Sequence, residues 1–427
     1  MALALIAVSV LMIVAAVPIA FVLIGVATLA LALDGGEPLA LVPQQIISGM
    51  DSFPMLAVPL FILAGFTMDK GGIARRLVWF ARSLVGPLPG GLGQVTVLGT
   101  IFFSSVSGST SADAAAIGGT MIPQLTGSGY TRARATAIVS AACVAAVMIP
   151  PNIAFIVYAV VANVSIGQLF LAGVLPGLLA AAVLMGRVAW QARTEKWVRT
   201  PWPTVRQLGR DAGSALMPLA LIFVVLGGIR YGFYTATEAA AMAFAYALIL
   251  SAFVYRTLTW RDLRDSLLQT AVLTGSILII VGAARLLSWV LATQQVPQML
   301  AKGVLGLGGG RTVFLLMTIA TFIPLGTILE GVPAIVMLTP ILAPIARQLG
   351  IDMVHYGIVI VATQGISVFM PPIGISLLVA CSVGRVTPAE VARPLFGYLG
   401  LLFIVALVIA FVPELSLFLP RWAGYNR

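Results

Sequence analysis

Charge is what this sequence has least of. Asp, Glu, Lys and Arg together make up 9% of its 427 residues, against about 25% in soluble domains, and a soluble globule is thereby excluded. A single histidine, two distant cysteines and no close pair of carboxylates leave no acid–base, nucleophilic or metal constellation for an intramembrane enzyme. They also leave no disulfide framework, and Cys143 and Cys381, both in apolar surroundings, read as packing residues. Ten-residue segments of alternating polarity are absent, which argues against a β-barrel. Met1 to Leu33 has neither the basic start nor the small-residue cleavage site of a signal peptide and is expected to be the first spanning helix.

Apolar residues are what is there. They form 60% of the chain, mean hydropathy is +1.08, and the apolar stretches run to about 20 residues, the length of a helix crossing a bilayer. The expectation is an all-α polytopic membrane protein of about 11–12 transmembrane segments. The net charge of +10 does not point to nucleic acid, because the basic residues sit in short connections rather than along one face. Arg187, Arg193, Lys196, Arg199, Arg206 and Arg210 fill one loop, and Arg256, Arg261 and Arg264 another. The positive-inside rule puts both in the cytoplasm, with Ala212 to Ile229 and Ala236 to Tyr255 forming a hairpin between them and Arg230 outside.

Two boxes look like copies of each other: Met148-Ile149-Pro150-Pro151-Asn152 and Phe369-Met370-Pro371-Pro372-Ile373-Gly374. Each interrupts an apolar run, and a Pro-Pro pair leaves carbonyls unpaired where no water is available. Paired interruptions in two halves of a membrane chain point to a transporter's binding site. Upstream of the first box, Ser104-Ser105-Val106-Ser107-Gly108-Ser109-Thr110-Ser111-Ala112-Asp113 carries seven hydroxyl or carboxyl side chains in ten positions, too polar for a lipid-facing helix. The arm before it, Leu92 to Phe103, is about 18 Å long as a helix and reaches only part way across a core of about 30 Å. A re-entrant hairpin follows, its polar turn near the midplane and its second arm opening on Thr110-x-x-Asp113, the pattern of a capping box. The carbonyl end of the first arm and the serines suit a cation, and the amide end of the second arm suits a carboxylate. The second half repeats the design, with Thr312 to Pro324 as one arm, Leu325 to Gly331 as the turn and Pro333 to Arg347 as the returning arm. Beyond the boxes, Ser165 to Gln168 and Thr387 to Glu390 read as helix caps.

These elements divide the chain into residues 1–91, N-terminal scaffold helices with an amphipathic arm at Ile73 to Val85, and 92–190, a first transport repeat with its hairpin at 92–123 and broken helix at 131–164. Residues 191–310 hold the basic loop and further scaffold helices, 311–393 a second repeat with its hairpin at 311–347 and broken helix at 352–384, and 394–427 a last transmembrane helix and tail. An odd number of crossings per repeat gives the two halves inverted topology, an orientation the sequence alone leaves open.

The runs Ser52 to Gly65 (SFPMLAVPLFILAG), Ser107 to Gly118 (SGSTSADAAAIG) and Gln168 to Gly177 (QLFLAGVLPG) resemble the large membrane subunit of TRAP transporters, the DctM type, and the resemblance extends over essentially the whole chain. It implies a sodium-coupled importer of organic acids or other carboxylate solutes in a bacterial inner membrane, working as an elevator. Its implied partners are a small four-helix membrane subunit of the DctQ type, for which the chain is too short to carry a fused copy, and a soluble periplasmic binding protein of the DctP type. Two or more co-transported Na+ ions are implied, with no organic cofactor. Carried over residue by residue, a first sodium site involves Ser104 and Ser107 with backbone oxygens near Ala146, Ile149 and Pro150. A second involves Gly326 with carbonyls near Ser367 and Met370, where the family's Gly-x-x-Thr-Pro-Pro is replaced by Ser367-Val368-Phe369-Met370-Pro371-Pro372, losing one hydroxyl and gaining another. Ser109, Thr110, Asp113, Asn152, Thr327, Glu330 and Gly374 are the candidate substrate contacts.

Plainer readings stand beside these. Asp113 either caps a half-helix or meets cation or substrate. Glu330, an acid at a membrane-depth turn, is functional by default. Arg285 either binds a carboxylate or snorkels to the interface, the second being favoured. Glu238, beside Thr237, caps a helix, and His355 is structural or exposed. The serines either make a site or let helices pack closely. A stand-alone sodium- or proton-coupled anion symporter, independent of any binding protein, fits the same physical pattern, and a channel is a third reading that accumulation against a gradient excludes.

Overall fold

The computed structural model describes residues 17–35, 38–195, 197, 201–306, 310–329 and 331–425, with Val8, Leu11, Met12 and Ala15. Most of residues 1–16, Lys196, Arg199 and Glu330 therefore lie outside the described residues. Among the described residues the chain is helical throughout, with 19 α-helices and no strand. Eight helices are long and apolar enough to cross a membrane, and five more are apolar but shorter. The count falls below the eleven or twelve expected because the broken helices divide into short halves. Both arms of the second hairpin also enter the eight on length alone.

The first broken helix runs Arg132–Ala146 and Ile153–Ala162, the second Met353–Val368 and Ile375–Gly384. Each gap coincides with a Pro-Pro box, and both Pro-Pro bonds are cis. Every residue from Val354 to Val368 is buried, the pattern of a helix packed on all sides. Arg132 and Arg134 open the first broken helix, whereas Arg385 follows the end of the second. With basic ends on the cytoplasmic side, the two run in opposite directions, which gives the inverted repeats.

The first hairpin is Gly91–Ser107 and Thr110–Gly127, the second Gly310–Leu329 and Gly331–Gln348. Both first arms are longer than the sequence suggested. The helix continues through Ser104–Ser107 in one, and through Pro324, Gly326 and Thr327 in the other, so the seven-residue second turn shrinks to the surroundings of residue 330. Proline inside a helix costs a backbone bond, and here tertiary packing tolerates it: Phe322 beside Pro324 is fully buried. Each hairpin packs on the first half of its own broken helix, and each returning arm also packs on the second half of the other repeat's broken helix. The two repeats are thereby interlocked. Long helices Ile166–Glu195 and Pro388–Phe411 flank them, the former carrying Arg187 and Arg193 as helical rather than loop residues.

Around this unit stands a frame of Ile19–Asp34, Leu41–Met50, Ala57–Lys70, Val205–Arg230, Ala236–Ile249 and Trp260–Thr293, packed chiefly on one another except for Val205–Arg230, which packs most on Ile73–Val85, itself set against the hairpin arm Gly91–Ser107. Capping boxes formed by Thr235 with Glu238, Thr259 with Asp262 and Thr387 with Glu390 fix three helix starts; the partner of Glu238 is Thr235, not Thr237. His355 is buried, its ring nitrogens 3.3 Å from Ser416 Oγ and 3.2 Å from the Ala410 carbonyl, which gives it a structural role.

Candidate functional site

The first hairpin turns at Gly108, whose φ of +62° and close approach to the Pro151 carbonyl, 3.3 Å from where a Cβ would stand, suit glycine. Its carbonyl accepts from the Ile153 amide at 3.3 Å, so the hairpin tip is stitched to the start of the half-helix beyond the first break. A break halves a spanning element, and a tip tied to it lies at mid-span.

The polar side chains of this tip divide into three groups. Ser104 Oγ donates to the Ala146 carbonyl at 3.2 Å, and Ser105 Oγ to the Phe102 carbonyl at 2.7 Å. Ser107 Oγ donates to Asp113 Oδ1, while Asp113 Oδ2, fully buried, has no partner among the described residues. Thr110 and Ser111 face outward and meet Ser376 Oγ at 3.1 and 3.2 Å. The capping box expected at Thr110 does not form. Ser109 is the cap residue, without a side-chain cap bond, and Thr110 is the first helical position. Asp113 is turned inward to Ser107, away from Thr110 and Ser111.

The second repeat builds the counterpart. Thr327 Oγ1 donates to the Ser367 carbonyl at 3.1 Å, as Ser104 does to Ala146. In both, the accepting carbonyl also receives the amide three residues on, Ile149 at 3.0 Å in the first repeat and Met370 at 3.1 Å in the second. Gly326 lies directly against the Ser367 side chain, and Ser367 Oγ donates to the Gln364 carbonyl at 2.7 Å. Met370, whose hydroxyl counterpart is missing, is half-buried. Thr327 therefore belongs with Gly326 and Ser367, a role the sequence did not assign it. Each hydroxyl–carbonyl pair offers hard oxygens to a small cation. Pro150 follows Ile149 directly at the first break.

Between the tips lies a cavity of about 140 Å³. Ser109, Thr110 and Asn152 line it together with Ser111, Gln364 and Gly331, and the frame helix Trp260–Thr293 closes it with Leu273, Ser276, Ile277 and Ile280. Asn152 Oδ1 caps its half-helix by accepting from the Ala154 amide at 2.8 Å, and Nδ2 has no partner among the described residues. The N-termini of Thr110–Gly127, Ile153–Ala162 and Gly331–Gln348 converge here, a setting that favours an anion. Asp113, Thr327 and Gly374 do not line the cavity; Gly374 is packed with its Cα against the Val368 and Met370 carbonyls, and Glu330 is outside the described residues. Ser111 was visible in the serine cluster. Gln364 was signalled only as an amide inside an otherwise apolar run, and Ser276 by nothing in its own helix.

This architecture defines a polytopic membrane transporter of two inverted repeats. The fold is shared with the Alcanivorax borkumensis YdaH transporter, with a TM-score of 0.66 at 14% identity, covering 98% of this chain and 99% of that one. The chain belongs to the DctM component family of tripartite ATP-independent periplasmic transporters, whose sequence model matches residues 5–415. Among its relatives, the Vibrio cholerae sialic acid TRAP transporter large permease protein SiaM is 35% identical over 414 residues, 97% of each chain. The Pseudomonas aeruginosa C4-dicarboxylate TRAP transporter large permease protein DctM is 37% identical over 376 residues, 88% of each chain.

Proposed function

We propose that this chain is the large permease subunit of a sodium-coupled importer of a small organic acid, in a bacterial inner membrane. A soluble binding protein delivers the solute from outside, and a small four-helix membrane subunit of the DctQ type completes the complex, as the tripartite description of the family suggests. The observation that carries the reading is the cavity between the hairpin tips, which joins three helix N-termini to two flanking hydroxyl–carbonyl pairs.

In this mechanism the Ser104 and Thr327 hydroxyls keep their protons but turn them away from the carbonyls, and each sodium ion is held by the hydroxyl and carbonyl oxygens, the first with the Asp113 carboxylate as well. Ion binding fixes both tips and completes the cavity. The substrate carboxylate then meets helix N-termini and the side chains of Ser109, Thr110 and Asn152, which offset its charge without a cationic side chain. The interlocked hairpins and broken helices move as one body against the frame, an elevator motion that carries the cavity past helix Trp260–Thr293. Three arguments support a rigid moving body: the exchange of returning arms between repeats, the buried broken helices, and a frame most of whose helices pack chiefly on one another.

The test is uptake into proteoliposomes that contain the chain and its small partner, with and without an inward sodium gradient and with and without the cognate binding protein. Accumulation that requires both is expected. Sodium-driven uptake in the absence of the binding protein would make the chain a stand-alone symporter, and sodium-independent equilibration would make it a channel.

A further inference from the structure

A second cavity, of about 240 Å³, opens between the frame and the interlocked unit. From the frame come Arg285 and Ser288, on helix Trp260–Thr293, and Ser48 and Ser52, at the end of Leu41–Met50; the far wall is Val160, Val161 and Pro340. Trp260–Thr293 starts at the cytoplasmic basic residues Arg261 and Arg264. Arg285 is nine residues beyond Ser276, about 13 Å further toward the outside at 1.5 Å per residue. The two cavities are thus stacked along one frame helix, the tip cavity below and the Arg285 cavity above.

Arg285 is packed at the base of its side chain and exposed beyond it. Leu41–Met50 lies so close to this helix that a Cβ on Gly49 would be 2.6 Å from Arg285 Cβ, and one on Gly282 would be 2.7 Å from the Ile46 carbonyl. The two glycines therefore let the helices meet at the stem of Arg285, and the rest of the side chain lines the cavity. Among the described residues the ion pairs are Arg134 with Glu195 and Arg421 with Glu414, and no carboxylate neutralises Arg285. An arginine that shares a cavity with three serines, and makes no ion pair among the described residues, is suited to an anion. Asp51, next to Ser52, is exposed and does not line the cavity. A snorkelling arginine alone leaves the three serines around it unexplained.

We propose that this cavity is a docking site for a carboxylate on the outer approach to the tip cavity, with Arg285 as its anion-binding group and Ser48, Ser52 and Ser288 as its hydroxyl partners. The proposal rests on the transport reading above and adds a step to it. The carboxylate meets a fixed cation first, and passes to neutral donors when a rise of about 13 Å brings the tips level with Arg285. A full positive charge stays on the frame, so the substrate is not trapped in the moving body.

The test does not require the substrate. In a chain with Cys143 and Cys381 replaced by alanine, Ser288→Cys is labelled from outside with an anionic sulfonatoethyl and, separately, a cationic trimethylammonioethyl methanethiosulfonate. A local cation favours the anionic reagent, and an anionic-to-cationic rate ratio about tenfold above that of a free thiol is expected. Arg285→Gln should abolish the preference and Arg285→Lys retain it. In the cysteine-free complex, Arg285→Gln should slow sodium-driven uptake about tenfold, a loss of about 1.4 kcal/mol, while the sodium requirement stays unchanged, and Arg285→Lys should restore part of the uptake. A labelling ratio indifferent to Arg285 would overturn the anion site. A ratio that depends on Arg285, together with normal uptake in Arg285→Gln, would remove the site from the substrate's path. If the wild-type complex shows no sodium-driven uptake, the transport reading fails while the labelling still decides whether the cavity selects anions.

Discussion

Ser104 and Ser107 lie one turn apart on the same helix, yet their hydroxyls take different partners. One binds the backbone of the first break, and the other binds the only acid of the hairpin tip. A buried carboxylate with a vacant oxygen is costly unless something meets it, and Asp113 Oδ2 is such an oxygen. On the proposed reading, a sodium ion between Ser104, Ser107 and Asp113 would meet that oxygen and offset its charge. Loss of both hydroxyls in Ser104→Ala with Ser107→Ala should raise the sodium concentration for half-maximal uptake at least about tenfold, equivalent to about 1.4 kcal/mol. Membrane insertion and complex formation should be unaffected, because the arm keeps its helical backbone bonds and its packing on Arg132–Ala146 and Thr110–Gly127. An unchanged sodium titration, measured by initial uptake rates, would show that the ion binds elsewhere.

At the scale of elements, the contact between frame and moving body depends on small residues. Gly65 of Ala57–Lys70 faces the backbone of Ser107, and a Cβ there would stand 2.5 Å from the Ser107 carbonyl. The obstructing atom is backbone and cannot swing aside. Gly65→Val should therefore reduce uptake to below about a tenth of wild type, with the complex still assembled by size-exclusion chromatography; near-normal uptake would mean that this helix gives way easily. How far such elements could be read in advance depended on how local their causes are. Both breaks were legible, because Pro-Pro acts on its own backbone, and the amphipathic helix Ile73–Val85 appears with the bounds its sequence period suggested. The second turn was not, because Pro324 and Gly326 look like helix breakers until tertiary packing overrides them. Of the two readings open for Asp113, the capping box does not form, because Thr110 lies one position past the cap residue Ser109. Thr327 and Gln364 gained their positions from partners about 40 residues away or from another element, and such pairings leave no mark on neighbouring sequence.

For the whole molecule, the arrangement of two interlocked repeats inside a frame makes one mechanical statement. On the proposed reading, the hairpin tips travel relative to helix Trp260–Thr293, carrying the cavity that both now enclose. Ser111, on the first tip, and Ser276, on the frame helix, line that cavity from opposite sides. The most direct measurement is to replace both with cysteine, in a chain whose buried Cys143 and Cys381 are alanine, and to join them with a short bifunctional thiol reagent cleavable by reduction. Sodium-driven uptake should stop in proportion to the fraction cross-linked and return on reduction, with each single cysteine unaffected. Uptake that continues at full rate through completely cross-linked protein would contradict the account, since the solute would then cross without the tips moving past the frame.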